Sequence, residues 1–191
     1  MNLTENKECI ILKNKNVQIF SVDNFLSEED RMEILFDSKN YLKTNKFIKY
    51  NFPHLQSDPY LISNYIHKNS WKNFVELISI LKDSFYREYY KTSDILNAHL
   101  KRSWVVSMSG KNVSPNHWHR HKSIISGVYY LQSPEPKIST LFKCDDGSIV
   151  SVNSKLNRLI LFPGDIVHTP DSDSFKSSGE RITLSFDICT S

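Results

Sequence analysis

The sequence predicts a mostly β chain with flanking helices, an α+β fold whose strands form a sandwich or barrel. Three observations carry this. Apolar residues recur at three- and four-residue steps before position 100 and at two-residue steps after it. The second half breaks into six short β-branched or aromatic segments separated by Gly, Pro, Asp and Asn turns, a spacing that suits a sandwich or barrel better than a parallel sheet with crossover helices. All five glycines (Gly110, Gly127, Gly147, Gly164 and Gly179) fall in that half. No repeat, low-complexity tract or linker divides the 191 residues, so one domain over 1–191 is expected. Residues 1–100 would supply a helical buttress and an N-terminal strand, and 101–191 the functional core.

Element by element, Val17–Val22 reads as a short strand. Ser27-Glu28-Glu29-Asp30 follows as an N-cap with acidic residues in the first turn, and Met32, Leu35 and Phe36 supply an apolar helix face. Asn51–Pro59 (NFPHLQSDP) is a loop by its prolines and polar residues. A second helix runs from about Ser70 to Tyr89, with Trp71, Phe74, Val75, Ile78, Leu81 and Phe85 forming a stripe suited to packing on a sheet. Strands are expected at Arg102–Ser109, Ile124–Leu131, Ile138–Lys143, Ser148–Val152, Arg158–Phe162 and Arg181–Ile188. Aromatic residues of the first half, among them Tyr41, Tyr60, Tyr65 and Trp71, fit either a substrate mouth or ordinary packing.

Composition narrows the function classes. Hydrophobic residues make up 39% and charged residues 24%, which is globular composition. A net charge of +3, with the basic residues dispersed, argues against nucleic acid as a partner. No apolar run reaches the roughly 18 residues of a membrane span. The N-terminus lacks a signal-peptide pattern, and Cys9, Cys144 and Cys189 are too few and too scattered for a disulfide framework or a cysteine zinc site. A cytoplasmic location is the expectation.

The chemistry concentrates in Asn116-His117-Trp118-His119-Arg120-His121. If this segment is extended, alternation points all three imidazoles to one face, which is what a transition metal needs: neutral nitrogen donors on a stiff support. A solvated surface cluster has the same spacing. His168 ends Leu159-Ile160-Leu161-Phe162-Pro163-Gly164-Asp165-Ile166-Val167-His168, a strand, a tight turn and a second short strand. On the last strand Arg181, Thr183 and Ser185 share a face between Ile182, Leu184 and Phe186. That face is either solvated or holds an arginine meeting a carboxylate inside a pocket, since guanidinium offers paired donors matched to two oxygens.

Taken in order, WHRH, SGVYYL, LFPGDIVH and RITLSF resemble the Fe(II)- and 2-oxoglutarate-dependent oxygenases, in particular a small bacterial and phage branch carrying W-H-x-H followed by SGVYYL. The resemblance covers about Arg102 to Ile188. It implies a double-stranded β-helix (a jelly-roll, cupin-like) with Fe(II) at its open end. It also implies 2-oxoglutarate and O2 as co-substrates, and hydroxylation of a small-molecule or peptidyl substrate with release of succinate and CO2. By the same resemblance His119 is the proximal metal ligand and His168 the distal one, while His121 falls where most of the superfamily has the carboxylate of H-x-D. A register using His117 and His119 is the alternative. Arg181 would pair with the distal carboxylate of 2-oxoglutarate, helped by Thr183, and Tyr129 or Tyr130 would add a hydrogen bond. Asp165, three residues before His168, is badly offset for a ligand. The rival readings are a cupin-type three-histidine metalloenzyme and a non-catalytic module binding metal or a small acid. Cupins typically add a glutamate soon after His-x-His, and Ser123–Ile125 supplies none.

Overall fold

The computed structural model describes residues 18–44, 55–94, 96–109, 116–134, 139–171 and 179–190. Its elements in chain order are β1 (Phe20–Val22), α1 (Glu28–Thr44), β2 (Leu55–Gln56), α2 (Leu61–Tyr65), α3 (Asn69–Tyr90), β3 (His99–Ser109), β4 (Ile125–Gln132), β5 (Ser139–Lys143), β6 (Ile149–Asn153), β7 (Leu159–Pro163), β8 (Val167–Pro170) and β9 (Glu180–Cys189).

The strands form two sheets, one ordered β1-β7-β4-β9-β3-β2 and the other β6-β5-β8. An antiparallel bridge between His119 and His168 adds the histidine segment to the free edge of β8. Counting β3, the histidine segment, β4, β5, β6, β7, β8 and β9 as first to eighth, one sheet runs first-eighth-third-sixth and the other second-seventh-fourth-fifth. That alternation between sheets is the jelly-roll, so the expected mostly β, α+β architecture with a double-stranded β-helix core is the one observed.

Two apolar layers flank the larger sheet. Its outer face, with Val105, Ile125, Tyr129, Leu159, Leu161, Ile182, Leu184, Phe186 and Ile188, packs on Ile34, Leu35, Trp71, Phe74, Ile78, Leu81 and Phe85 of α1 and α3. Between the sheets a smaller cluster joins Val128, Tyr130, Phe142, Val150, Val152, Ile160 and Phe162. The two-residue period assigns alternate residues of each strand to the two layers. Register then sets Arg181 beside Met108, and Thr183 beside Val106 and Tyr130.

Ser27 caps α1 as its sequence position suggests, its Oγ accepting from the Asp30 amide at 3.1 Å. The buried face differs from the expected one. Met32 and Phe36 are exposed, whereas Ile34, Leu35, Ser38 and Leu42 are buried together with Arg31 and Asp37. Polar anchoring sets this rotation: Arg31 donates to the Leu131 carbonyl at 2.6 Å, and Asp37 accepts from Trp71 Nε1 at 2.9 Å and from Lys68 at 2.7 Å. Helix α3 follows its stripe, apart from a half-buried Val75. Tyr65 stacks on fully buried Trp71 at 5.3 Å, so this pair belongs to packing. The loop expected over 51–59 contains β2, whose pairing with β3 extends the larger sheet, and the short α2 follows it. Val17, Ile138 and Gly110 lie outside the described residues. Among the described residues Cys144 and Cys189 form no disulfide, and no helix is long and apolar enough to cross a membrane.

Candidate metal and small-acid site

Residues 117–121 run alongside β8. The His119 amide donates to the His168 carbonyl at 3.0 Å and the His168 amide donates back to the His119 carbonyl at 2.9 Å, while the His121 amide donates to the Gly164 carbonyl at 2.7 Å. This extended run does what alternation predicts: rings 117 and 119 stack at 4.9 Å between centroids, and rings 119 and 121 at 5.2 Å. The strand–turn–strand unit delivers His168 from the neighbouring side, its ring 4.4 Å from that of His119 and 5.1 Å from that of His121. Gly164 permits the approach. A Cβ there would lie 2.2 Å from Ser123 Oγ and 2.3 Å from its carbonyl oxygen, so only a residue without a side chain lets the turn pass against the segment that follows the histidines.

The nitrogens of His119, His121 and His168 that face one another all lie within 4.8 Å. Each ring is fixed through its other nitrogen. His119 Nδ1 is 3.1 Å from the His117 carbonyl, His168 Nδ1 is 3.0 Å from the Ile166 carbonyl, and His121 Nδ1 is 2.6 Å from Asp187 Oδ1. Carbonyls and carboxylates only accept, so in all three rings Nδ1 carries a proton, which leaves Nε2 as the nitrogen available to a metal. Burial, above all, lowers the His119 pKa to about 4 and the His168 pKa to about 3, with neighbouring imidazoles adding to the effect. Both are therefore neutral donors at pH 7. This donor set fits a divalent transition metal. His117 lines the same cavity and stacks on His119 but stands outside the converging trio.

The cavity is lined by Trp104, Val106, Met108, Val128, Phe162, the histidines and the inner face of β9. Arg181 is 3% exposed. Its guanidinium lies 5.3 Å from the centre of the Tyr130 ring, and Nη1 meets Met108 Sδ at 3.7 Å. Nε has no partner, and no carboxylate pairs with Arg181 among the described residues. Burial pulls its pKa below the usual guanidinium range. Thr183 shares the lining, and Tyr130, buried beside Arg181, exchanges a hydrogen bond with Thr140 at 2.6 Å.

Adjacent in sequence, Tyr129 and Tyr130 part company. Tyr129 points to the helix side, edge-on to Phe25 at 5.4 Å, with its hydroxyl donating to Asn157 Oδ1 at 2.7 Å. It is not among the cavity-lining residues; strand parity excludes it. Gly127 is also explained from that side. A Cβ would stand 2.1 Å from the Phe186 ring, so the glycine makes room for the helix-side core rather than for the cavity.

Asp187, which sequence reading passes over, continues the series 181, 183, 185 on the same face. It is 1% exposed and accepts from Ser126 Oγ at 2.8 Å, from Arg102 at 2.6 Å and from His121. Burial pushes its pKa up, but these partners outweigh burial and hold it below the usual carboxylate range. Extending the two-residue count by one step would have found it.

No family model and no curated protein matches this sequence. Solved structures do resemble the fold. SnoN, a non-heme α-ketoglutarate-dependent epimerase from nogalamycin biosynthesis, superposes with a TM-score of 0.68 at 14% identity over 90% of this chain and 77% of its own. A prolyl-4-hydroxylase from Pseudomonas putida gives 0.65 at 11% identity, covering 91% of this chain and 92% of that one. HygX from Streptomyces hygroscopicus, solved with nickel and 2-oxoglutarate, gives 0.63 at 11% identity over 92% and 84%. The chain thus shares the fold of these three proteins.

Proposed function

We propose that this chain is an Fe(II)- and 2-oxoglutarate-dependent oxygenase that hydroxylates a small-molecule or peptidyl substrate. One observation carries the reading. A buried guanidinium with no carboxylate partner among the described residues shares a cavity with three imidazoles whose nitrogens converge. An unpaired buried cation is costly, and a small dicarboxylic acid bound between it and a metal would satisfy both. SnoN with Fe3+ and α-ketoglutarate, and HygX with nickel and 2-oxoglutarate, support the reading by analogy of fold.

In this reading His119, His121 and His168 hold the iron. Bound Fe(II) and 2-oxoglutarate together supply O2 activation, the co-substrate leaving as succinate and CO2. Arg181 receives the distal carboxylate through its paired donors, with the Thr183 hydroxyl beside it. Tyr130 holds the guanidinium plane and shields its far face. Trp104, Val106, Met108, Val128 and Phe162 keep the cavity walls dry. The all-histidine donor set favours one rival, a cupin-type three-histidine metalloenzyme that needs no 2-oxoglutarate.

Anaerobic loading with Fe(II) followed by O2 addition distinguishes the two. Succinate formed from 2-oxoglutarate in proportion to O2 consumed is the expected result. Iron-loaded protein that consumes O2 without succinate supports the rival, and protein inert with every candidate substrate overturns enzymatic function.

A further inference from the structure

We propose that Asp187 is a positioning residue of the metal centre: it supplies, one hydrogen bond away from the ion, the negative charge that an all-histidine ligand set lacks. The inference rests on the three histidines being the metal ligands. Two of them lean on neutral backbone carbonyls, His119 on His117 and His168 on Ile166. His121 alone leans on a carboxylate, and its 2.6 Å contact is the shortest of the three. Three neutral imidazoles leave a divalent ion its full double charge, whereas a directly bound carboxylate would halve it. A carboxylate on the far nitrogen of a ligating imidazole draws the Nδ1 proton toward itself. That makes Nε2 a stronger donor and spreads negative charge onto the ligand.

The surroundings of Asp187 are built for this purpose. Pairing on β9 sets it opposite Ser126 on one side and Arg102 on the other, and each donates to it. Ser126 and His121 both reach Oδ1, and Arg102 takes Oδ2. The carboxylate is therefore held in one orientation, ionised, with the oxygen nearest the metal ligands turned to His121. Arg102, about two-fifths exposed in a separate pocket that it lines with His121 and Asp187, draws charge the opposite way.

Co(II) and azide test this without turnover. Co(II) affinity follows from its visible absorption, and azide, an anion that binds a metal directly, reports the net charge of the loaded centre. Asp187→Asn keeps the shape and an acceptor oxygen but removes the charge. It should weaken Co(II) about 10- to 100-fold and tighten azide on the Co(II)-loaded protein about threefold or more. The thermal midpoint of the metal-free protein should stay within a few degrees. Arg102→Gln, at a half-exposed site, frees the carboxylate's charge and should move both affinities the other way, by about two- to fivefold. A merely structural aspartate predicts Co(II) and azide affinities falling together with stability, and no reversal at Arg102. Either that pattern or Co(II) affinity in Asp187→Asn within about twofold of wild type, well inside the loss expected of an outer-shell partner, overturns the proposal. If Asp187→Asn does not fold, the direction of the Arg102→Gln shifts decides. Absent succinate with intact Co(II) and azide behaviour would overturn only the oxygenase reading, while failure of wild type to take up Co(II) would overturn the metal centre itself.

Discussion

Strand β9 has two buried faces that differ in kind. Ile182, Leu184, Phe186 and Ile188 face the helices; Arg181 and Thr183 line the cavity, and Asp187 continues their face behind His121; all seven are 3% exposed or less. Burial alone does not separate them. The outer face gains from apolar area removed from water, a non-directional term that any close-packed set of side chains supplies. The inner face carries groups that cost free energy when buried: Asp187 is held by directed partners, and Arg181, which has no carboxylate partner among the described residues, is where the proposed function places an anion. The same stretch of chain thus divides stability from function by parity.

The sharpest way to break this division is Phe186→Ala. Its ring sits edge-on to Phe74 at 5.7 Å and covers Gly127, and removing it should cost about 3–5 kcal/mol in urea unfolding. Metal affinity of the folded fraction should stay unchanged; a parallel loss would show that the faces are not independent. Next comes Arg181→Met, which keeps volume and removes the charge. It should weaken 2-oxoglutarate binding by about 2–5 kcal/mol and leave metal content near wild type. The thermal midpoint of the ligand-free protein should not fall, because a buried unpaired charge is removed.

The inner face should also carry the pH dependence. His119 and His168 titrate near 4 and 3 in the fold, below the ordinary histidine value near 6.5. The unfolded chain therefore binds more protons between those values. Stability of the metal-free protein is complete above about pH 6.5 and declines below it, by up to about 1.4 kcal/mol per pH unit for each group. Denaturant titrations at stepped pH check this, and Co(II) should steepen the decline because the metal competes with protons. The smallest effect belongs to the adjacent tyrosines. Tyr129→Phe and Tyr130→Phe should each cost about 1 kcal/mol for one hydrogen bond, yet Tyr130→Phe alone should alter 2-oxoglutarate affinity.

Much of this was legible in the sequence because strands write their faces into it. The histidine alternation and the Arg181-Thr183-Ser185 face needed only a period of two. The trio needed more. Which of His117, His119 and His121 converge depends on where β8 delivers His168, a pairing fixed by the backbone bonds to Gly164 and His168. Asp187 stayed hidden among Phe186, Ile188 and Cys189, where one polar residue reads as a strand end. Met32 and Phe36 misled because α1 is rotated by Arg31 and Asp37, whose partners lie far off in sequence. Two-residue β2 and five-residue α2 are too short to leave a periodic trace.

The reciprocal bonds between His119 and His168 have a further consequence. Among the described residues, three backbone bonds tie residues 117–121 to the 164–168 segment, so this edge is a seam that can open locally. An ion held by both rings would staple across that seam. The two amides are thus built-in reporters: their hydrogen exchange should slow by the full factor with which metal suppresses opening. A pair of exchange rates can then read occupancy of the centre without a chromophore or a substrate.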